Sequence, residues 1–219
     1  MQTDELIHLL AKSAVPVRRL SGPWMQTVLW LAVALPSVVA AILVMSPRDD
    51  LAQKLADIRF LVEEIAAFAT AIAAAVAAFS MVIPGRSGRI LFLPVLPLAV
   101  WLASLGQGCM RDWLHFGADG LKLRPDWVCF PSIALVGAIP VIAMVVMLRR
   151  GAPLSPRATV ALGALAAAAL GNVGLRMFHS QDAGLMVLFW QFGSVALLSA
   201  LAGWMGRHVL SWHRVMVIR

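Results

Sequence analysis

The chain has 219 residues, 61% of them hydrophobic against roughly 45–50% for an ordinary soluble domain, and its mean hydropathy is +0.85; a water-soluble globular fold is excluded. Eighteen basic against eleven acidic residues give a net charge of +7. Their distribution assigns this excess to membrane topology and lipid headgroups, not to a nucleic-acid-binding face, so no direct nucleic-acid contact is expected.

Residues 1–23 are the one stretch suited to a soluble partner. Thr3, Asp4 and Glu5 form a helix start, with a hydroxyl to cap free amides and two carboxylates at the positive end of the dipole, and Pro16 ends the helix. Thr3, Ile7, Leu10 and Ala14 share a stripe, Leu6 and Leu9 lie beside it, and His8 and Lys12 point elsewhere. An amphipathic helix of about a dozen residues is marginal alone in water. Its apolar face therefore needs covering by the membrane surface, by the rest of the protein or by a partner.

Residues 24–219 are predicted to be a polytopic, all-α bundle of six transmembrane helices, at about 24–45, 63–84, 90–108, 129–148, 158–176 and 185–206. Six charge-free runs carry the prediction, and the shortest, Ala158 to Leu175, has 18 residues. The first run is read as a retained helix, because it is long, follows Arg18 and Arg19, and lacks a small-x-small cleavage site. With six spans, eleven of the eighteen basic residues but only Asp4 and Glu5 among the acids fall on the side of the amino terminus. The positive-inside rule then puts both termini in the cytoplasm.

Helix 1 offers Trp24 and Trp30 as interfacial anchors and Pro36 as a kink. Between Ser46 and Glu64, Leu51, Leu55, Ile58, Leu61 and Val62 recur at helical spacing among charges, predicting an amphipathic helix on the outer surface. Glu63 and Glu64 then mark the membrane boundary, or one is a buried carboxylate that titrates or pairs. Helix 2 carries Ala66, Thr70, Ala74 and Ala78 on one stripe, and helix 5 carries Thr159, Gly163, Ala167 and Gly171. Small residues at spacing four let backbones approach, so these helices are the expected packed centre.

The turn Pro84–Arg89 lacks a Lys-Ser/Thr pair and is no phosphate loop. Helix 3, with Pro94, Pro97, Gly106 and Gly108, is expected to be irregular at its outer end. The loop beyond it holds Trp113 and His115 and leads to Cys129. After the basic inner loop 149–157, Ser155 before Pro156 is the expected cap of helix 5.

No acidic or basic side chain falls near a predicted midplane, and the two halves show no repeat; both weaken a transporter reading. No nucleophile elbow, zincin motif or haem pair is present, so neither enzyme activity nor a cofactor is expected. Asn172 and Gln191 are expected as interhelical hydrogen-bond partners. Cys109 and Cys129, the only cysteines, flank one outer loop. Three roles stay open: a disulfide worth roughly 3 kcal/mol, a soft-metal or oxidant site with His115 or His179 as further ligands, or two passive apolar residues.

Thr3-Asp4-Glu5-Leu6-Ile7, Pro16-Val17-Arg18-Arg19-Leu20, the loop Leu148-Arg149-Arg150-Gly151-Ala152-Pro153-Leu154, the six spans and the two cysteines together resemble the NrsF-type membrane anti-sigma factors, the negative regulators of sigma F. The resemblance covers nearly the whole chain. It implies a multi-pass protein of the bacterial inner membrane that keeps an extracytoplasmic-function sigma factor at the inner face and frees it on a stress such as heavy metal or oxidant. It also implies that outer cysteines sense the signal. Many members carry a cysteine beside the histidine matching His179; the neighbour here is Ser180, which shifts that role to Cys109 and Cys129. No His-x-x-x-Cys-x-x-Cys run of a zinc-binding anti-sigma domain is present. Capture then rests on Leu6, Ile7, Leu9 and Leu10, with Arg18 and Arg19 meeting lipid phosphates or acidic sigma residues. The rivals are a small transporter and a structural subunit of a membrane complex.

Overall fold

The computed structural model describes residues 3–13, 20–83, 85–117, 129–151, 153–179 and 187–210. Nine α-helices run through them: α1 (Thr3–Ser13), α2 (Pro23–Met45), α3 (Leu51–Leu55), α4 (Ile58–Met81), α5 (Val95–Phe116), α6 (Cys129–Val136), α7 (Ala138–Leu148), α8 (Pro156–Phe178) and α9 (Gly193–Val209). A 3₁₀ turn, Gly88–Phe92, precedes α5, and a π turn, Val187–Phe192, leads into α9. No strand occurs among the described residues. Five helical segments are long and apolar enough to cross a membrane, and six if α6 and α7 count as one bent span. Leu96, Val44, Ile65 and Ile142 lie exposed on the bundle's flanks. Such a surface is costly in water and neutral in lipid.

The ends of the helices follow from local chemistry. Pro23 and Pro156 sit in the first turns of α2 and α8, where a missing N–H costs nothing. Asp57 caps α4 by accepting from the Arg59 N–H at 2.9 Å. Ser155, the expected cap of α8, makes no side-chain capping bond; its carbonyl accepts from the Thr159 N–H and hydroxyl, both at 3.0 Å. The helix expected between Ser46 and Glu64 is two pieces, α3 and the first turns of α4, parted where Asp57 turns extended to cap.

α4 and α8 are the most buried of the long helices, and α8 packs most extensively on α9 and α4. The glycine stripe of α8 faces the bent pair. A Cβ on Gly171 would lie 2.9 Å from the Ile133 carbonyl oxygen, and one on Gly137 would lie 3.3 Å from that of Ala167. The two backbones touch there. α6 and α7 meet at 52° around Gly137, because Pro140 brings no N–H and its ring crowds the carbonyl four residues back. The sequence predicts one span over 129–148, and the two helices make one only as a bent pair.

Two further expectations change. α5 runs unbroken from Val95 to Phe116 through both glycines, where irregularity was expected. Glycine costs a helix about 1 kcal/mol, less than stranding backbone groups near hydrocarbon. Trp30 is no interfacial anchor; it is fully buried and its indole N–H donates to the Pro140 carbonyl at 2.9 Å, tying α2 to α7. Gln191 is buried in the π turn with neither amide atom hydrogen-bonded among the described residues, and the same holds for the Asn172 Oδ1. Among the described residues the interhelical bonds expected of Gln191 are not formed.

Candidate functional site

Charge gathers at one end of the bundle, where α4 begins and α8 finishes. Glu63 and Glu64 occupy the second turn of α4, and Arg176 stands in the last turn of α8. The Arg176 guanidinium donates through Nη2 to the Glu63 Oε2 at 2.7 Å and through Nε to the Glu64 Oε1 at 3.2 Å. Arg59, one turn before Glu63, donates from Nε to its Oε1 at 3.0 Å. The Phe60 ring lies 4.9 Å from the Arg176 carbon Cζ, on the cation's open face. All three residues of the central triad are under 8% exposed. Two acids and two bases make the cluster neutral, and burial is tolerable because three of the four carboxylate oxygens have partners. The fourth, Glu64 Oε2, has none among the described residues.

The neighbouring turn is stitched to the same end. Arg48 is buried, pairs in fork geometry with Asp50, donates from its backbone to the Met177 carbonyl at 3.1 Å and from Nη1 to the His179 carbonyl at 3.3 Å. α5 joins through Gly108. A Cβ there would fall 1.7 Å from the Arg59 Nη2, so the guanidinium lies directly on the α5 backbone. One cluster therefore ties together α4, α5, α8 and the turn after α2.

The residues singled out from sequence are distributed around this cluster and away from it. Cys109 follows Gly108 on α5 as a free, half-buried thiol. Cys129 starts α6, and its side chain lies outside the described residues. His115 is exposed in the last turn of α5. Six residues of continuous helix put it about 120° around the axis from Cys109 and roughly 9 Å along it. Among the described residues no three His, Cys, Asp or Glu side chains converge as metal ligands. Ala74 and Ala167 are buried; Gly163 packs under Met144 and Leu148 of α7, and Gly171 under Ile133.

At the amino terminus, α1 carries Ile7 at 58% exposure and has no extensive packing against any other helix among the described residues. The side chains of Leu6, Leu9 and Leu10, and the whole of Arg18 and Arg19, lie outside the described residues. The triad of Glu63, Glu64 and Arg176 was not foreseen as a unit. Its sequence signal was an arginine closing the alanine-rich run of helix 5 and two adjacent carboxylates opening that of helix 2.

A family model described as NrsF, negative regulator of sigma F, matches residues 10–212. Searches of curated proteins and of solved structures found no match.

Proposed function

The chain belongs to the NrsF family and so is a negative regulator of a sigma factor, and we propose that it works as a membrane-embedded anti-sigma factor. In this reading it holds an extracytoplasmic-function sigma factor at the inner face of a bacterial inner membrane and lets it go on a heavy-metal or oxidant signal from the other side. The observation that carries the docking half is α1, an amphipathic helix with Ile7 exposed and no extensive packing on another helix among the described residues. Such a helix binds by laying its apolar face in a groove. The matched residues begin at 10, so Leu6, Ile7 and Leu9 are assigned on the helix's own character, with Leu10 continuing the face. Arg18 and Arg19 meet lipid phosphate or acidic groups of the partner. The basic excess on the side of the amino terminus supports a cytoplasmic position for both termini.

The signalling half starts at Cys109, near the end of α5, and Cys129, at the start of α6, with His115 as a further ligand if the signal is a metal ion. Cys109 adjoins Gly108, on which the Arg59 guanidinium rests, and Arg59 holds Glu63. Oxidation or metallation of the thiol would disturb that contact, and the cluster passes the change to α4 and α8. Release requires two arrangements of the bundle with different affinity for the partner.

Co-purification from detergent extracts tests the docking half. The full chain is expected to bring down its sigma factor, and a chain lacking residues 1–13 to lose it; equal recovery would favour a structural subunit. For sensing, the double change Cys109→Ser, Cys129→Ser is expected to abolish metal-triggered release while leaving capture intact. An unchanged response discards the cysteines alone.

A further inference from the structure

A cleft of about 280 Å³ opens between the first turn of α4 and the far half of α5, apart from the buried triad. Ser104, Gln107 and Arg111 line it from α5 at spacings of three and four, which puts them on one face of that helix. From α4 it is lined by Arg59 and, at its apolar rim, by Ile58 and Val62. Arg59 commits only its Nε to Glu63; its terminal nitrogens lie against Gly108, between Gln107 and Arg111 along α5. Arg111 is exposed and makes no ion pair among the described residues. Asp57, also at the cleft, spends one carboxylate oxygen on the α4 cap. The charge of Arg59 is already balanced in the carboxylate cluster, so what the cleft offers is donors: the terminal nitrogens of Arg59, the Arg111 guanidinium and the Gln107 amide. Farther along the same helix faces, Ile65 of α4 and Leu96 and Val100 of α5 are exposed apolar surface.

We propose that this cleft binds the phosphate of an anionic phospholipid, with Arg59 and Arg111 clasping the phosphate oxygens, Gln107 donating to the headgroup and the acyl chains running down the apolar surface between α4 and α5. Guanidinium forks match phosphate oxygens in geometry and charge. An apolar flank on the same helix faces as a cleft rich in guanidinium donors suits a lipid better than a free anion. The site rests on the reading that the bundle sits in a bilayer, and extraction from membranes only by detergent tests that reading separately.

The test is native mass spectrometry of the delipidated full chain titrated with dioleoylphosphatidylglycerol, and with dioleoylglycerol, which has the same tails and no phosphate. Phosphatidylglycerol is expected to bind and dioleoylglycerol not. Arg111→Gln, at an exposed position, is expected to weaken binding about tenfold, the scale of one lost charge-assisted contact. Arg150→Gln removes the same charge outside the cleft and is expected to change nothing. Equal binding by Arg111→Gln and the parent chain, or equal loss in both variants, would overturn the site. Binding of inorganic phosphate alone, without retention of the lipid, would overturn the lipid assignment.

Discussion

Arg176→Met is expected to lower the thermal unfolding midpoint in detergent by roughly 6–20 °C. The reasoning starts from what the change leaves behind. Arg176 is 4% exposed and, among the described residues, is the hydrogen-bond partner of the Glu64 carboxylate and one of two for Glu63. Its loss strands buried negative charge, and removing one partner of a buried pair costs about 3–5 kcal/mol. At about 2–4 °C per kcal/mol for a chain of this size, the stated range follows. Arg176→Lys is expected to recover only part of the loss, because one ammonium cannot reach both carboxylates as the fork does through Nη2 and Nε. The decisive comparison is the triple change Glu63→Gln, Glu64→Gln, Arg176→Met. It leaves no buried carboxylate, and the one charge that loses its partner, Arg59, has a side chain 25% exposed that water can reach, so the variant should stand within about 1–2 kcal/mol of the parent. A single substitution as mild as the triple would mean that the cluster carries no net burden and is solvated. If the cluster also links the cysteine end to the partner-binding end, Arg176→Met at a temperature where it remains folded should hold less sigma factor than the triple variant.

The apolar runs were readable because lipid removes the ambiguity that water leaves: a stretch with no charge over eighteen residues has few other places to go. The packed centre was readable for a similar reason, since Ala74, Ala167 and their neighbours are too small to serve any other purpose in a membrane helix. What escaped depends on partners distant in sequence. Arg176 and Glu63 are separated by 113 residues, and nothing local distinguishes an arginine that ends a helix in water from one folded back onto two carboxylates. The break at Gly137 has the same character, since Pro140 is tolerated in a straight or a bent membrane helix until α8 and the Trp30 indole determine which. Gly106 and Gly108 mislead for the opposite reason: turn formers by propensity, both stay helical, and at Gly108 Arg59 takes the space that a side chain would fill, while a Cβ on Gly106 would meet nothing.

Ile7→Asp is expected to weaken capture of the sigma factor about thirtyfold or more while leaving the unfolding midpoint of the bundle unchanged. Ile7 is 58% exposed, so a carboxylate there meets water in the free protein, and the helix pays only the small difference in propensity. In a groove the same carboxylate must be desolvated against apolar walls, and loss of an apolar anchor at such a site costs 2 kcal/mol or more, which is about thirtyfold in affinity. Lys12→Asp places the same group about 140° around the helix from Ile7 and should cost little, because that face is the polar one. The pair separates a groove from general electrostatics: repulsion by an acidic partner would penalise both substitutions, and only insertion of the apolar face distinguishes them. It also separates docking from a role on the lipid surface. A helix that merely floats on the membrane would lose its surface attachment in Ile7→Asp and keep the sigma factor, and that outcome, read by co-purification of the full chain, would remove α1 from the binding surface.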